Sequence, residues 1–101
     1  MKFGLNESEL KFLTETLVVP LKNVGAKVYV FGSRASGKHK PFSDVDILYC
    51  PNPQAPLPKG LVAEILEAME TSTFPYKIDL VNANELASSY RQQIEEQKVE
   101  I

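Results

Sequence analysis

The chain has 101 residues, 44% hydrophobic and 24% charged, the size and make-up of one small globular domain spanning residues 1–101. It carries 11 basic and 13 acidic residues, a net charge of −2, so no global field exists to grip nucleic acid or an anionic membrane. One cysteine, Cys50, excludes an intramolecular disulfide, and a single histidine, His39, excludes a Cys/His zinc site and leaves Ser–His or Cys–His catalysis resting on one loop residue.

Apolar runs such as Val28–Phe31 are far too short to span a bilayer, which takes about 20 residues. The N-terminus turns polar at Asn6-Glu7, too early for a signal peptide, so a reduced, cytoplasmic setting is the expectation.

In chain order, Asn6 with Glu9 three residues on forms a capping-box signature, and Leu10, Leu13, Leu17, Val18 and Leu21 recur at helical spacing. This predicts a first helix whose end is bracketed by Pro20 and Gly25. Ala26–Phe31 is rich in β-formers and predicts a strand stopping at Gly32, where a short helix is possible. Val45–Cys50 predicts a second strand. The segment from Pro51 to Pro58 holds four prolines and predicts a surface loop. A second helix is expected from about Leu61 to Thr71, a third strand over Tyr76–Val81 and a third helix over Glu85–Gln97, with Val99–Ile101 as a short tail strand or an ordered end.

The order is α-β-β-α-β-α. The link between the first two strands is too short for a helical crossover, so an adjacent pair must run antiparallel. The helix between strands two and three suits a parallel crossover. The expected architecture is a small mixed α/β (α+β) fold, three or four strands with helices packed on the sheet.

Against this pattern three aspartates stand out. Asp44 opens the second strand, Asp46 lies within it and Asp79 sits in the middle of the third, although aspartate is depleted in strands. Local violations of fold logic tend to mark functional sites. Asp44 and Asp46 share a strand face about 6.5 Å apart. If Asp79 converges on them, three carboxylates repel one another unless a cation neutralises them. Oxygen ligands without His or Cys suit magnesium or manganese, the ions used to activate an attacking oxygen and stabilise a leaving one at phosphorus. Upstream, Gly32 permits a turn and close ligand approach, Ser33 offers a hydroxyl and an N–H, and Arg34, Lys38 and Lys40 supply positive charge for phosphate oxygens.

A lone Asp-x-Asp occurs by chance in about a quarter of chains this long. Gly-Ser followed ten residues later by Asp-x-Asp arises in about one in a thousand. The run Gly32-Ser33, ten residues, Asp44-Val45-Asp46 resembles the signature of the DNA polymerase beta-like nucleotidyltransferase superfamily, and Lys77–Val81 resembles the site of its third carboxylate. At this size the chain is similar to the minimal nucleotidyltransferases (MNT), commonly encoded beside a HEPN-domain protein; some transfer AMP to a tyrosine of that partner as antitoxins.

The resemblance implies a nucleotidyltransferase fold and in-line attack of a hydroxyl on the α-phosphorus of a nucleoside triphosphate, ATP being the expected donor. It implies metal binding and catalysis by Asp44, Asp46 and Asp79, and nucleotide binding by Gly32, Ser33, Arg34 and Lys38. Many relatives carry a second arginine where this chain has Ser36, a contact that Lys38 or Lys40 would have to replace. It also implies that the acceptor comes from a partner chain or a second subunit. The rival expectation is a non-catalytic binding module that neutralises a HEPN-type partner by covering it.

Overall fold

The computed structural model describes residues 2–101. The first helical stretch begins as expected: the Asn6 side chain accepts from the Glu9 N–H (2.8 Å) and the Glu9 carboxylate accepts from the Asn6 N–H (2.9 Å), closing the capping box at the start of α1 (Glu7–Leu13). It ends at Asn23, between Pro20 and Gly25 as expected. A π-helical turn (Thr14–Val18) leads directly into α2 (Val19–Asn23), with Pro20 in its first turn. The wider turn carries one extra residue, so the ring that would disrupt a regular ladder sits where its missing N–H leaves no bond unmade.

β1 (Lys27–Phe31) follows, then a five-residue helix α3 (Gly32–Ser36), β2 (Val45–Cys50), α4 (Leu61–Glu70), β3 (Ile78–Asn82), a 3₁₀ turn (Ala83–Glu85), α5 (Ser88–Gln97) and β4 (Val99–Glu100). The last helix starts three residues later than the sequence suggests. The Asn82 side chain accepts from the Asn84 N–H, tightening that segment into the 3₁₀ turn, and Leu86 and Ala87 are extended.

The sheet is mixed, with order β3-β2-β1-β4. β1 pairs antiparallel with β2 and with β4, whereas β2 and β3 run parallel across the α4 crossover. Strand alternation sends Val45, Ile47 and Tyr49 to one side, where with Val28 and Val30 they join Leu13, Leu17, Val18, Leu21, Ile65 and Met69 in the main core. Burial of these side chains against α1, α2 and α4 is what holds the sheet. Asp46 and Leu48 face the other way, and Leu48 is 2% exposed. No helix among the described residues is long and apolar enough to cross a membrane.

Candidate active site

The register decides where the acids lie. In the parallel β2–β3 pair Asp46 stands opposite Asp79, and in the antiparallel β1–β2 pair it stands opposite Phe31, the residue before Gly32. Asp44 lies two residues upstream of Asp46, just outside the ladder, which opens with the Val45 N–H donating to the Lys77 carbonyl at 2.9 Å. Two neighbouring strands and the turn after a third therefore meet on the sheet face opposite the main core. Asp44 and Asp79 are exposed and Asp46 is half-buried.

Burial, then the charges of Asp79 and Asp44, push the Asp46 carboxyl above its ordinary value, while the Arg34 charge pulls it the other way. Asp46 thus senses both of the other acids electrostatically. Among the described residues none of them forms an ion pair, the single salt bridge being Lys98–Glu95. Lys77, two residues from Asp79, does not neutralise it.

Gly32 is left-handed (φ +73°), and a Cβ added there would overlap the Asp46 carboxylate oxygen Oδ2 and lie 3.2 Å from its Cγ. The backbone of the Gly32-Ser33 turn therefore lies against the Asp46 side chain, a closeness only glycine allows. Ser33 is half-buried, and Lys38 and Lys40 are exposed on the following loop. Ser36 turns its hydroxyl back to the Ser33 carbonyl (3.1 Å).

Arg34 is placed differently from the rest of the expected phosphate cradle. It is 3% exposed and faces inward. Nε and Nη2 both donate to the Ser43 carbonyl (3.0 and 2.7 Å), Nη1 donates to the Phe3 carbonyl (2.9 Å), and the guanidinium lies 4.2 Å from the centroid of the Tyr76 ring. Its donors are taken up by the protein itself rather than presented to a phosphate. Sequence reasoning missed Tyr76 and Ser43 as its partners, and no local pattern marks either.

His39, a loop residue by sequence, is half-buried. Its ring lies against Gly4, and its Nδ1 is buried without a hydrogen-bond partner. Cys50 is half-buried, and burial pushes its thiol up, away from nucleophilic use.

The donor set bears on metal binding in two ways. Among the described residues no group of three or more His, Cys, Asp or Glu side chains is gathered tightly enough to hold a metal ion as it stands. The chemistry nevertheless suits a hard divalent cation: carboxylates alone, unpaired among the described residues, with Asp46 raised by burial and then by its two neighbours.

The sequence model of the family described as "Polymerase beta, Nucleotidyltransferase" matches residues 18–101. The chain belongs to the polymerase beta nucleotidyltransferase family. The match runs from the end of the π-helical turn through β4 and so includes the Gly-Ser turn and all three aspartates.

Among solved structures, a proposed minimal nucleotidyltransferase superposes with a TM-score of 0.70 at 24% identity, covering 100% of this chain and 97% of that one. A chain from a toxin–antitoxin complex with AMP-PNP gives a TM-score of 0.64 at 21% identity, covering 95% of this chain and 72% of that one. A chain from the complex of a tri-AMPylated Shewanella oneidensis HEPN toxin with an MNT antitoxin gives 0.62 at 17% identity, covering 95% and 71%. At these identities the likeness is one of fold, and it establishes the nucleotidyltransferase architecture for this chain. No curated protein matches the sequence.

Proposed function

We propose that the chain is a divalent-metal-dependent nucleotidyltransferase that moves AMP from ATP to a hydroxyl on a protein partner, a tyrosine of a HEPN-type toxin, and so acts as an antitoxin. One observation carries the reading: the parallel register brings Asp46, which lies against the glycine turn, beside Asp79, with Asp44 two residues away, none of them paired with a cation among the described residues. A purely covering surface has no use for three mutually repelling acids. The fold neighbours include a toxin–antitoxin complex with AMP-PNP and an MNT antitoxin with an AMPylated HEPN toxin, which supports the donor and the partner.

In this reading Asp44, Asp46 and Asp79 hold the metal, magnesium or manganese, and Gly32, Ser33 and Lys38 receive the triphosphate. When bound, the metal supplies charge neutralisation between carboxylates and phosphates and polarises the reacting oxygens. The acceptor hydroxyl oxygen bonds to the α-phosphorus, the α–β bridging P–O bond breaks, and pyrophosphate leaves with the electron pair. The hydroxyl proton passes to Asp79, the exposed acid on the edge strand, or to solvent. The protein's share of the work is orientation and placed charge rather than a histidine base. The open face beside β3 is where a partner's side chain can enter.

The test is transfer of label from α-labelled ATP to the HEPN-type partner in the presence of magnesium. Label is expected with the native chain and absent with Asp44→Ala or Asp46→Ala. Undiminished labelling by either variant overturns the assignment. A tight complex without label, unaffected by either substitution, supports the covering module instead.

A further inference from the structure

Arg34 is the one buried charged or polar residue among the described residues. Burying a guanidinium is costly unless its charge and donors are matched. Here no carboxylate pairs with it, although three stand on the same side of the fold. Its donors are spent on main-chain oxygens, two of them converging on the carbonyl of Ser43. That carbonyl belongs to the peptide unit joined to Asp44.

Asp44 needs such a support. Asp46 is held by pairing on both sides of β2, and Asp79 by the β2–β3 ladder. Asp44 precedes the ladder and has no pairing of its own. The turn before it is closed on itself, the Ser43 N–H donating to the Lys40 carbonyl (3.1 Å) and the Lys40 N–H to the Ser43 hydroxyl (2.9 Å). The Arg34 fork fastens that closed turn to α3. The guanidinium also lies over the ring of Tyr76, which stands three residues before Asp79 and itself packs on Phe74 (5.7 Å) and Phe42 (6.5 Å). The third donor reaches Phe3 at the N-terminus.

We propose that Arg34 is a positioning residue of the metal site: by clamping the Ser43 carbonyl while seated on Tyr76, it fixes Asp44 relative to Asp79 and to the Gly32-Ser33 turn. This rests on the reading of the three aspartates as the metal-binding set. Lysine cannot replace it, because one ammonium on a flexible stem lacks the planar fork and the flat face.

The test is direct titration of the native chain and variants with Mn²⁺, followed by the electron paramagnetic resonance of the free ion, with no nucleotide or partner present. Arg34→Lys is expected to weaken Mn²⁺ binding by about tenfold or more, the scale seen when groups orienting metal ligands are lost. Leu17→Ala, a core truncation far from the acids, is the control for lost stability and is expected to leave the dissociation constant of the folded protein unchanged. Tyr76→Leu keeps the fork and removes its seat, and is expected to shift binding the same way by at most about fivefold, the equivalent of one cation–π contact.

Arg34→Lys binding Mn²⁺ as tightly as the native chain, or losing no more affinity than an equally destabilised Leu17→Ala, overturns the proposal. If Arg34→Lys does not fold, unchanged binding by Tyr76→Leu overturns it. A native chain that takes up no Mn²⁺ removes the metal-site reading itself, and with it this role, an outcome distinct from the other two.

Discussion

Replacing Gly32 with alanine places a methyl group where the Asp46 carboxylate now lies. Two costs follow, and they can be separated. Gly32 has φ +73°, a conformation that costs an L-residue about 1–2 kcal/mol, offset by about 0.4–1 kcal/mol from the stiffer unfolded chain. Gly37 has φ +79° with nothing within 4 Å of an added Cβ, so Gly37→Ala meets the backbone cost alone. At Gly32 the new methyl also overlaps Asp46 Oδ2. That atom is the far end of a short side chain, so it yields by leaving its rotamer, at about 0.5–1.5 kcal/mol.

Gly37→Ala is therefore expected to lose about 0.5–1 kcal/mol and Gly32→Ala about 1–2.5 kcal/mol, a difference of several degrees in Tm for a domain of this size. In the transfer assay the contrast is larger. Displacing a catalytic carboxylate by about 1 Å costs roughly 10²-fold, whereas Gly37→Ala leaves the acids where they are. Denaturant melts and labelling of the two variants side by side make the comparison. Equal stability and equal transfer would refute the claim that Asp46 lies over the Gly32 turn.

Two further expectations use other parts of the structure. The Asp46 pKa is raised on folding, so the folded state binds more protons than the unfolded one just above the ordinary carboxylate range, and stability falls as pH rises through that window. Asp46→Asn is expected to abolish transfer yet raise neutral-pH stability by about 0.5 kcal/mol, on the scale of solvent-screened charges, and to flatten the pH dependence of urea melts just above the ordinary carboxylate range; a loss of stability on this substitution contradicts it. Asn6→Ala opens the capping box at α1 and is expected to cost about 1 kcal/mol in the same melts while leaving nucleotide transfer unchanged.

Much of this was legible in the chain, for identifiable reasons. Val45–Cys50 is a run of β-formers between a polar loop and a proline, so its bounds follow from local rules, and the short link before it forces antiparallel pairing with β1. The first helix runs past Pro20 because a π-helical turn absorbs the ring, an adjustment that no propensity encodes. The three acids were visible as violations of strand composition, and the Gly-Ser turn as the stop after β1. That Asp46 stands opposite Asp79 depends on a register between segments more than 30 residues apart, which pattern alone does not specify. Arg34 shows the limit most plainly: a basic residue after Gly-Ser reads as a phosphate contact until Phe3, Ser43 and Tyr76, remote in sequence, fold around it.

The three acids differ in how rigidly the fold holds them, and that ordering matches the work each would do. Asp46 lies on a strand paired on both sides, the most fixed position the sheet offers, and it is the most shielded of the three from solvent. Asp79 lies on the edge strand β3, fixed along one side and open along the other, which leaves an approach for an acceptor hydroxyl. Asp44 lies outside the ladder altogether, on a turn that one buried guanidinium ties down. Asp44 is thus the one of the three whose placement depends on a side chain rather than on strand pairing. Loosening the clamp should therefore first affect how ions and the triphosphate are held, whereas moving Asp46 by about 1 Å should slow the transfer itself by roughly 10²-fold.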